Sequence, residues 1–286
     1  MQIDPKQVEA VIAEVAAEVV LPRFRALEAH EVRDKGVNDF VTVADEEAET
    51  ALAERLPGLL PGSWVLGEEM VARGELSIEA LAGSDAPVWV VDPVDGTFNF
   101  AHGDPFFAVI VALCRGEETL AGWIHDPVRT VTATAERGGG AWLAGTRLRV
   151  APAGPPAELS GTLHAGFRGR AALKTKVERN RGKVRQVRSL RCSGQEYMRL
   201  AAGETHFTLF SSTKPWDHLA GVLIHREAGG HSCLLDRRLY RPQDGQGIGL
   251  LSAPDRESWL SLRTALFDSD WRPEDDAAIA ADGVLS

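Results

Sequence analysis

Two carboxylates on either side of a proline mark the first segment that could do chemistry, VWVVDPVDGTFNF at residues 88–100. An apolar run ends at Asp92, and Pro93 cannot donate to a strand ladder, so we predict that the strand ends at Asp92 and the chain turns at Pro93. Asp95 follows shortly after. Two carboxylates this close repel each other, and burying them unpaired is costly, so a bound cation explains the pair. Sites built only from oxygen ligands favour Mg²⁺, Mn²⁺ or Ca²⁺ over zinc.

Gly96 and Thr97 follow the pair directly. Glycine lets a backbone approach a ligand closely, and exposed amides near a helix start attract anions. Metal ligands beside an anion cradle suit a phosphate ester that is attacked by water. The motif alone has a plainer explanation, because Asp-Pro and Asp-Gly are common turn formers.

Two further segments carry acids at predicted element ends. Glu68 and Glu69 follow Gly67 at the end of the run WVLGEE, and Asp217 lies in the first turn of a predicted helix that Pro215 opens. An acid at a helix start is commonly only a cap, so Asp217 taken alone does not indicate a metal site.

Taken together, these segments resemble the inositol monophosphatase-like family of magnesium-dependent, lithium-sensitive phosphatases. The matching motifs are Gly67-Glu68-Glu69, Trp89 to Phe100 followed by Pro105, Trp216-Asp217 with Ala220-Gly221 and Glu227 to Gly230, and the upstream Lys35, Asp39, Thr42 and Asp45. Their order and spacing agree with the family over roughly residues 5–265. The resemblance implies a Mg²⁺-dependent phosphomonoesterase that acts on a small phosphorylated metabolite, with a metal-activated water and no covalent phosphoenzyme.

The resemblance also implies a role for each matching position. Two or three Mg²⁺ ions would be held by Glu68, Asp92, the carbonyl of Val94, Asp95 and Asp217. Asp45 and Thr97 would orient and deprotonate the attacking water, with Glu69 in support. The amides of Gly96 and Thr97 would bind the phosphate. A homodimer is a further family expectation.

The substrate region departs from the family pattern. Where members that act on inositol phosphates carry an acid, this chain has Phe210, and the family's small-residue run is replaced by the segment 191–196. The predicted substrate contacts are Asp95, Arg191, Ser193, Gly194 and Phe210. Besides an inositol monophosphate-like compound, the substrate could therefore be a histidinol phosphate, a sugar bisphosphate or a 3′-phosphoadenosine-type nucleotide. A catalytically silent regulator that binds metal and phosphate is the alternative from another class.

Composition excludes several other classes. The 286 residues carry a net charge of −10, which argues against general nucleic-acid binding. The longest apolar run, residues 105–114, is about half the length that a membrane span needs. Three cysteines stand far apart without metal-site spacing, and the N-terminus lacks a secretory pattern, so we expect a cytoplasmic protein.

The charge is unevenly distributed. Residues 168–191 contain ten Lys or Arg and one acid, a balance of +9 that leaves −19 for the rest of the chain. This basic stretch could steer an anionic substrate or could be an ordinary solvated helix and turn.

The elements that must position these residues follow from hydrophobic patterns. Apolar residues at three- and four-residue spacings predict helices over residues 5–29 and 44–56, and β-branched runs between turns predict an antiparallel meander over 105–150. A Pro/Gly-rich segment at 151–161 is the predicted boundary between two halves, about 1–150 and 151–267, before an acidic tail at 268–286. With the resemblance, this predicts one α/β (mixed α+β) domain, a sugar-phosphatase-like layered αβαβα sandwich.

Overall fold

The structure is a computed structural model that describes residues 3–36, 39–82, 84–164, 166–167, 170–245 and 247–268. Its α-helices are α1 (Pro5–Val15), α2 (Val43–Leu59), α3 (Glu68–Ala72), α4 (Thr97–Ala101), α5 (Ala171–Asn180), α6 (Ser193–Ala201), α7 (Pro215–Glu227) and α8 (Arg256–Phe267). A π-helical turn (Ala16–Val20) and a 3₁₀ turn (Leu21–Arg23) prolong α1, and other 3₁₀ turns are Ala29–Glu31, Ile78–Leu81 and Arg181–Lys183.

The strands form three sheets. The strands in chain order are β1 (Val32–Gly36), β2 (Asp39–Thr42), β3 (Trp64–Gly67), β4 (Val88–Asp95), β5 (Ala108–Arg115), β6 (Glu118–Asp126), β7 (Val131–Glu136), β8 (Gly140–Leu143), β9 (Thr146–Arg147), β10 (Ser160–His164), β11 (Arg185–Gln186), β12 (Phe207–Phe210), β13 (His231–Leu234) and β14 (Leu250–Ala253). β1 and β2 form a hairpin, a seven-stranded sheet has the order β3-β4-β5-β6-β7-β8-β9, and a five-stranded sheet has the order β11-β10-β12-β14-β13. Consecutive strands from β4 to β9 pair antiparallel, which confirms the predicted meander.

Helices cover the two larger sheets in alternating layers. α1 and α2 pack on one face of the seven-stranded sheet, α6 and α7 lie between the two sheets, and α5 and α8 cover the far face of the five-stranded sheet. Three apolar clusters fill the spaces between these layers, as expected where each sheet and helix buries its apolar face against a neighbour. The predicted αβαβα sandwich is confirmed.

The first predicted helix is too long. Helical structure that begins at Pro5 ends at Arg23 rather than at residue 29, and Phe24 is already extended. Pro22 lies in the final turn, where its missing N–H and its ring oppose continuation of a helix. Among the described residues, no helix combines the length and the apolar character that crossing a bilayer requires. Of the predicted acidic tail, only Asp268 belongs to the described residues.

Candidate active site

The end of β4 differs from the sequence prediction in a way that shapes the site. The strand does not stop at Asp92 but continues through Pro93 to Asp95, and its register with β5 is irregular between Asp92 and Asp95. Proline is tolerated at such an irregularity because no ladder hydrogen bond is lost there. A regular strand would direct side chains three residues apart to opposite faces, whereas here both carboxylates line one cavity. The amide of Val94 donates to Asp92 Oδ1 at 3.1 Å.

Gly96 turns the chain from β4 into α4. Its φ of 89° lies in the left-handed region, and a Cβ there would sit 3.0 Å from the Phe106 carbonyl oxygen and 3.1 Å from Cys192 Cβ. Asn99 holds the same loops together, since its Nδ2 donates to the carbonyls of Phe106 (2.6 Å) and Leu190 (2.7 Å). The backbone after Asp95 is therefore fixed by close packing and by a buried amide.

Three acids from different elements meet at the end of β4. Ligand atoms of Glu68, Asp92 and Asp217 all lie within 4.8 Å of one another. Burial, then the negative charges of Glu68 and Asp95, raise the pKa of Asp92 well above its ordinary value. Burial also raises the pKa of Asp217 well above its ordinary value, and the negative charge of Glu68 adds to this rise. Ionised carboxylates this close repel each other unless a cation lies between them, so this all-oxygen donor set fits a divalent ion such as Mg²⁺.

The loop before α6 and the first turn of α6 hold Asp95 in place. Asp95 Oδ2 accepts from the Gly194 amide at 2.6 Å, from Cys192 Sγ at 3.0 Å and from Ser193 Oγ at 3.1 Å. Ser193 Oγ also lies 3.0 Å from the Asp217 carbonyl oxygen. Burial raises the pKa of Asp95, and the hydrogen bond from the Gly194 amide opposes that rise. Ser193 and Gly194, predicted as substrate contacts, thus position a predicted metal ligand.

Asp45 is buried behind the smaller cavity and pairs with Thr97, which lines that cavity. Thr97 Oγ1 lies 3.0 Å from Asp45 Oδ1 and 2.9 Å from the Val94 carbonyl oxygen. The Thr42 amide and hydroxyl both donate to Asp45 Oδ2, which makes Thr42 and Asp45 the capping box of α2. Burial raises the pKa of Asp45 to about 7. A carboxyl group that titrates near neutrality is suited to accepting a proton.

Glu49, a second buried carboxylate on α2 besides Asp45, was missed by the sequence analysis. One turn after Asp45 on α2, its Oε2 accepts the Glu69 amide at 2.7 Å and its Oε1 lies 3.3 Å from Arg73 Nη2. Burial raises the pKa of Glu49 to about 7. A Cβ on Gly67 would sit 2.0 Å from Glu49 Oε2, which explains the glycine before the two acids. The i,i+4 spacing from Asp45, which places both carboxylates on one face of α2, was a signal available in the sequence.

Two cations face the carboxylates. Lys214 Nζ donates to Glu68 Oε1 at 2.9 Å, and this lysine was also missed by the sequence analysis. The Arg191 guanidinium lies 4.8 Å from the centre of the Phe98 ring. In the basic stretch, Arg185 and Arg188 are exposed, whereas Arg191 also lines the cavity of the acids. Residues 168 and 169 of that stretch lie outside the described residues, as do the side chains of Lys35 and Asp39.

Two adjoining cavities contain the site. The smaller, about 170 Å³, is lined by Phe40, Glu68, Asp92, Val94, Asp95, Gly96, Thr97, Phe98, Arg191 and Asp217. The larger, about 720 Å³, shares Asp95, Phe98, Arg191 and Asp217 with it and adds, among others, Ser193, Phe210, His164 and His218. The His164 ring stacks on Phe210 with centroids 4.8 Å apart. The predicted residues therefore all lie at these cavities except Asp45, Glu69 and Gly194, which are buried behind them.

A model of the inositol monophosphatase family matches residues 4–266 of the chain. The chain belongs to the inositol monophosphatase family. An inositol-1-monophosphatase of Rhizobium meliloti (strain 1021) is 35% identical over 213 residues, which are 73% of this chain and 77% of that protein. The Nus factor SuhB of Xylella fastidiosa (strain Temecula1 / ATCC 700964) is 34% identical over 227 residues, 77% of this chain and 78% of that protein.

A solved structure shows the same fold. The extragenic suppressor protein suhB from Bartonella henselae superposes with a TM-score of 0.75 at 26% identity, covering 92% of this chain and 99% of that one. Family membership and the inositol-1-monophosphatase relative confirm the predicted enzyme class. The protein is a phosphoric monoester hydrolase that acts on a small phosphorylated metabolite.

Proposed function

We propose that this member of the inositol monophosphatase family hydrolyses a small, inositol monophosphate-like phosphomonoester with Mg²⁺ in the cavity at the end of β4. The observation that carries the proposal is the meeting of Glu68, Asp92 and Asp217 within 4.8 Å of one another. A bound divalent ion supplies positive charge to the phosphoryl oxygens and lowers the pKa of a water molecule.

The chain offers enough oxygen ligands for two or three ions. The groups that would hold the ions are Glu68, Asp92, the carbonyl of Val94, Asp95 and Asp217. Three protein groups already fix one oxygen of Asp95, so its carboxylate is held in one orientation before any ion binds. A carboxylate that is already fixed by hydrogen bonds loses little side-chain entropy when it binds a metal ion.

Asp45 and Thr97 handle the proton in this proposal. The Thr97 hydroxyl lies between Asp45 and the Val94 carbonyl, and its hydrogen satisfies one of these acceptors at a time. When Asp45 is ionised and accepts that hydrogen, a lone pair of the hydroxyl is left to orient a water, and the carboxylate is ready to receive a proton. The negative charge of Glu69 helps to keep the pKa of Asp45 high.

The phosphate and the leaving group occupy the two cavities. The amides of Gly96 and Thr97 bind the phosphate at the start of α4 in the smaller cavity. The rest of the metabolite extends into the larger cavity, where Arg191 and Phe210 line the wall. A cavity of about 720 Å³ is in the range of small-molecule sites.

The proposal places the enzyme in the cytoplasm as a homodimer. Its three cysteines are free and buried, as is usual in a reducing compartment. Phe106 and Trp142 expose large rings, which are candidates for a subunit contact. The seven-stranded sheet lies within residues 1–150 and the five-stranded sheet within 151–267, which supports the proposed division into two halves.

Phosphate release from a substrate panel tests the function. The panel contains an inositol monophosphate, histidinol phosphate, fructose 1,6-bisphosphate and 3′-phosphoadenosine 5′-phosphate, each with and without Mg²⁺. Wild type and the surface control Asp85→Asn should release phosphate only with Mg²⁺, and Asp95→Asn should release almost none. Equal, negligible release by all three proteins across the panel would refute the proposal.

A regulatory function is the second candidate, because the chain is 34% identical to the Nus factor SuhB of Xylella fastidiosa. The same panel separates the two functions. A silent regulator would bind Mg²⁺ in calorimetry and release no phosphate from any compound, whereas the enzyme does both.

A further inference from the structure

Lys214 supplies the cluster of Glu68, Asp92 and Asp217 with a positive charge from within the chain. Its Nζ donates to Glu68 Oε1 at 2.9 Å, and its charge lowers the pKa of Asp217 against the effect of burial. Arg191, a cation that lines the smaller cavity, lies over the Phe98 ring. Lys214 is thus a cation bound to a carboxylate of the cluster, in the place of positive charge that a divalent ion would supply.

The backbone explains how the lysine reaches this position. Lys214 is the residue before α7, where Pro215 occupies the first helical position and sets the direction of entry. Its Nζ also lies 5.5 Å from the centre of the Trp216 ring, which is nearly fully buried and fixes one wall of the approach. Lys214 therefore lies three residues before the proposed ligand Asp217, and its ammonium group contacts Glu68 of the same cluster.

The Lys214 ammonium group is nevertheless able to dissociate from Glu68. Its side chain is 42% exposed, while that of Glu68 is 18% exposed. An ammonium on four methylenes makes a single-point contact, unlike the forked contact of an arginine, and it exchanges partners at low cost. Salt bridges with this degree of exposure are weak compared with divalent coordination by several carboxylates.

We propose that Lys214 is an exchangeable counter-ion of Glu68, which stabilises the metal-free cluster and must be displaced before a divalent ion can use that carboxylate. The proposal rests on the metal centre described under the proposed function. Lys214 then sets how much Mg²⁺ is needed to fill the ion position that depends on Glu68. It acts as a positioning residue, through Glu68, and is given no contact with substrate.

Titration calorimetry with Mg²⁺, and with Mn²⁺ as a tighter-binding probe, tests this role. Lys214→Met keeps the apolar stem and removes the charge, Lys214→Gln is a second neutral variant, and Lys214→Arg keeps the charge. The exposed Lys183→Met is the matched control for a loss of one positive charge elsewhere. Both neutral variants should bind the weakest ion about fivefold more tightly than wild type, as expected for removing one partly exposed ion pair. Lys214→Arg and Lys183→Met should bind no more tightly than wild type.

Thermal unfolding provides the readout that does not depend on catalysis. In a chelator, Lys214→Met and Lys214→Gln should melt at a lower temperature than wild type, because the carboxylates lose their cation. At saturating Mg²⁺ this difference should vanish. Neutral variants that bind the ions with wild-type or weaker affinity, or that melt like wild type in the chelator, would overturn the counter-ion role while leaving the metal centre intact. Failure of the wild type itself to bind either ion would overturn the metal centre and the counter-ion role together.

Discussion

Thr97→Val removes the hydroxyl that links Asp45 to the end of β4 while keeping the size and branching of the side chain. In the wild type, this hydroxyl lies 3.0 Å from Asp45 Oδ1 and 2.9 Å from the Val94 carbonyl oxygen. Valine can neither orient a water nor relay a proton to Asp45. The proposed metal ligands Asp92 and Asp217 keep all their own contacts, although the Val94 carbonyl loses its contact with the hydroxyl, so the substitution acts chiefly on the proton-handling part of the proposed mechanism.

The expected loss follows from the value of a positioned general base. Such a group contributes about 10²–10⁴ in rate, which corresponds to about 3–5 kcal/mol of activation free energy. Thr97 is part of the pathway to that base, so kcat should fall by about 10²–10⁴. KM should stay within about threefold, because the group acts in the transition state rather than in substrate binding. Loss of the hydroxyl should lower the free energy of unfolding by only about 1–2 kcal/mol.

Steady-state phosphate release at saturating Mg²⁺ measures these quantities. Thr97→Ser restores a hydroxyl and should recover activity to within about tenfold of wild type. Thr50→Val removes an exposed hydroxyl on α2 that donates to the Glu46 carbonyl of the same helix, and it should leave kcat unchanged. If Thr97→Val kept a kcat within about threefold of wild type, the assignment of proton handling to Thr97 and Asp45 would be refuted.

Three further predictions concern the buried groups behind the cavities. Burial raises the folded-state pKa of Asp45 to about 7, above its value of about 4 in the unfolded chain, so its contribution to stability is present below about pH 4 and lost as pH rises through about 7. In a chelator, Asp45→Asn should therefore gain about 3 kcal/mol in unfolding free energy relative to wild type between pH 5 and pH 8, and a pH-independent difference in urea unfolding would contradict this. Glu49→Ala leaves a buried amide at the start of α3 without its acceptor and should lower the free energy of unfolding by about 1–3 kcal/mol, whereas Glu49→Gln should unfold like wild type. Gly194→Ala brings a Cβ to 2.9 Å from Ile124 Cγ2 and should cost about 1–3 kcal/mol in urea unfolding and at least about tenfold in kcat/KM. Gly182→Ala, whose Cβ would meet nothing within 4 Å, should be silent in both assays, and similar losses from the two alanines would contradict the packing argument.

The fold was largely predictable because its signals are local. Alternating β-branched runs between turns identified the meander from β5 to β9, and the family resemblance supplied the layer order. The error at Pro93 has a tertiary cause, since a proline in a strand is acceptable only where the neighbouring strand leaves an irregularity, and that depends on the register with β5. The first helix is shorter than predicted for a local reason, because Pro22 lies in its last turn.

The sequence by itself determined which side chains could do chemistry and the local geometry around some of them. Asp92, Asp95 and Gly96 are close in sequence, and the capping box of Thr42 and Asp45 spans one helical turn. Both arrangements are therefore defined without the rest of the fold. These relationships act over a few residues, where backbone geometry leaves few alternatives.

Only the tertiary structure decided how distant groups meet. It brought Glu68, Asp92 and Asp217 within 4.8 Å of one another, and it set Lys214 on Glu68 and Glu49 beneath the same loop. These contacts join α2, α3, β4 and α7, and their positions depend on sheet register and on packing between layers. The distances between these side chains are set by how the layers pack together rather than by any local sequence pattern. Burial between the layers also raises the pKa of Asp45 to about 7.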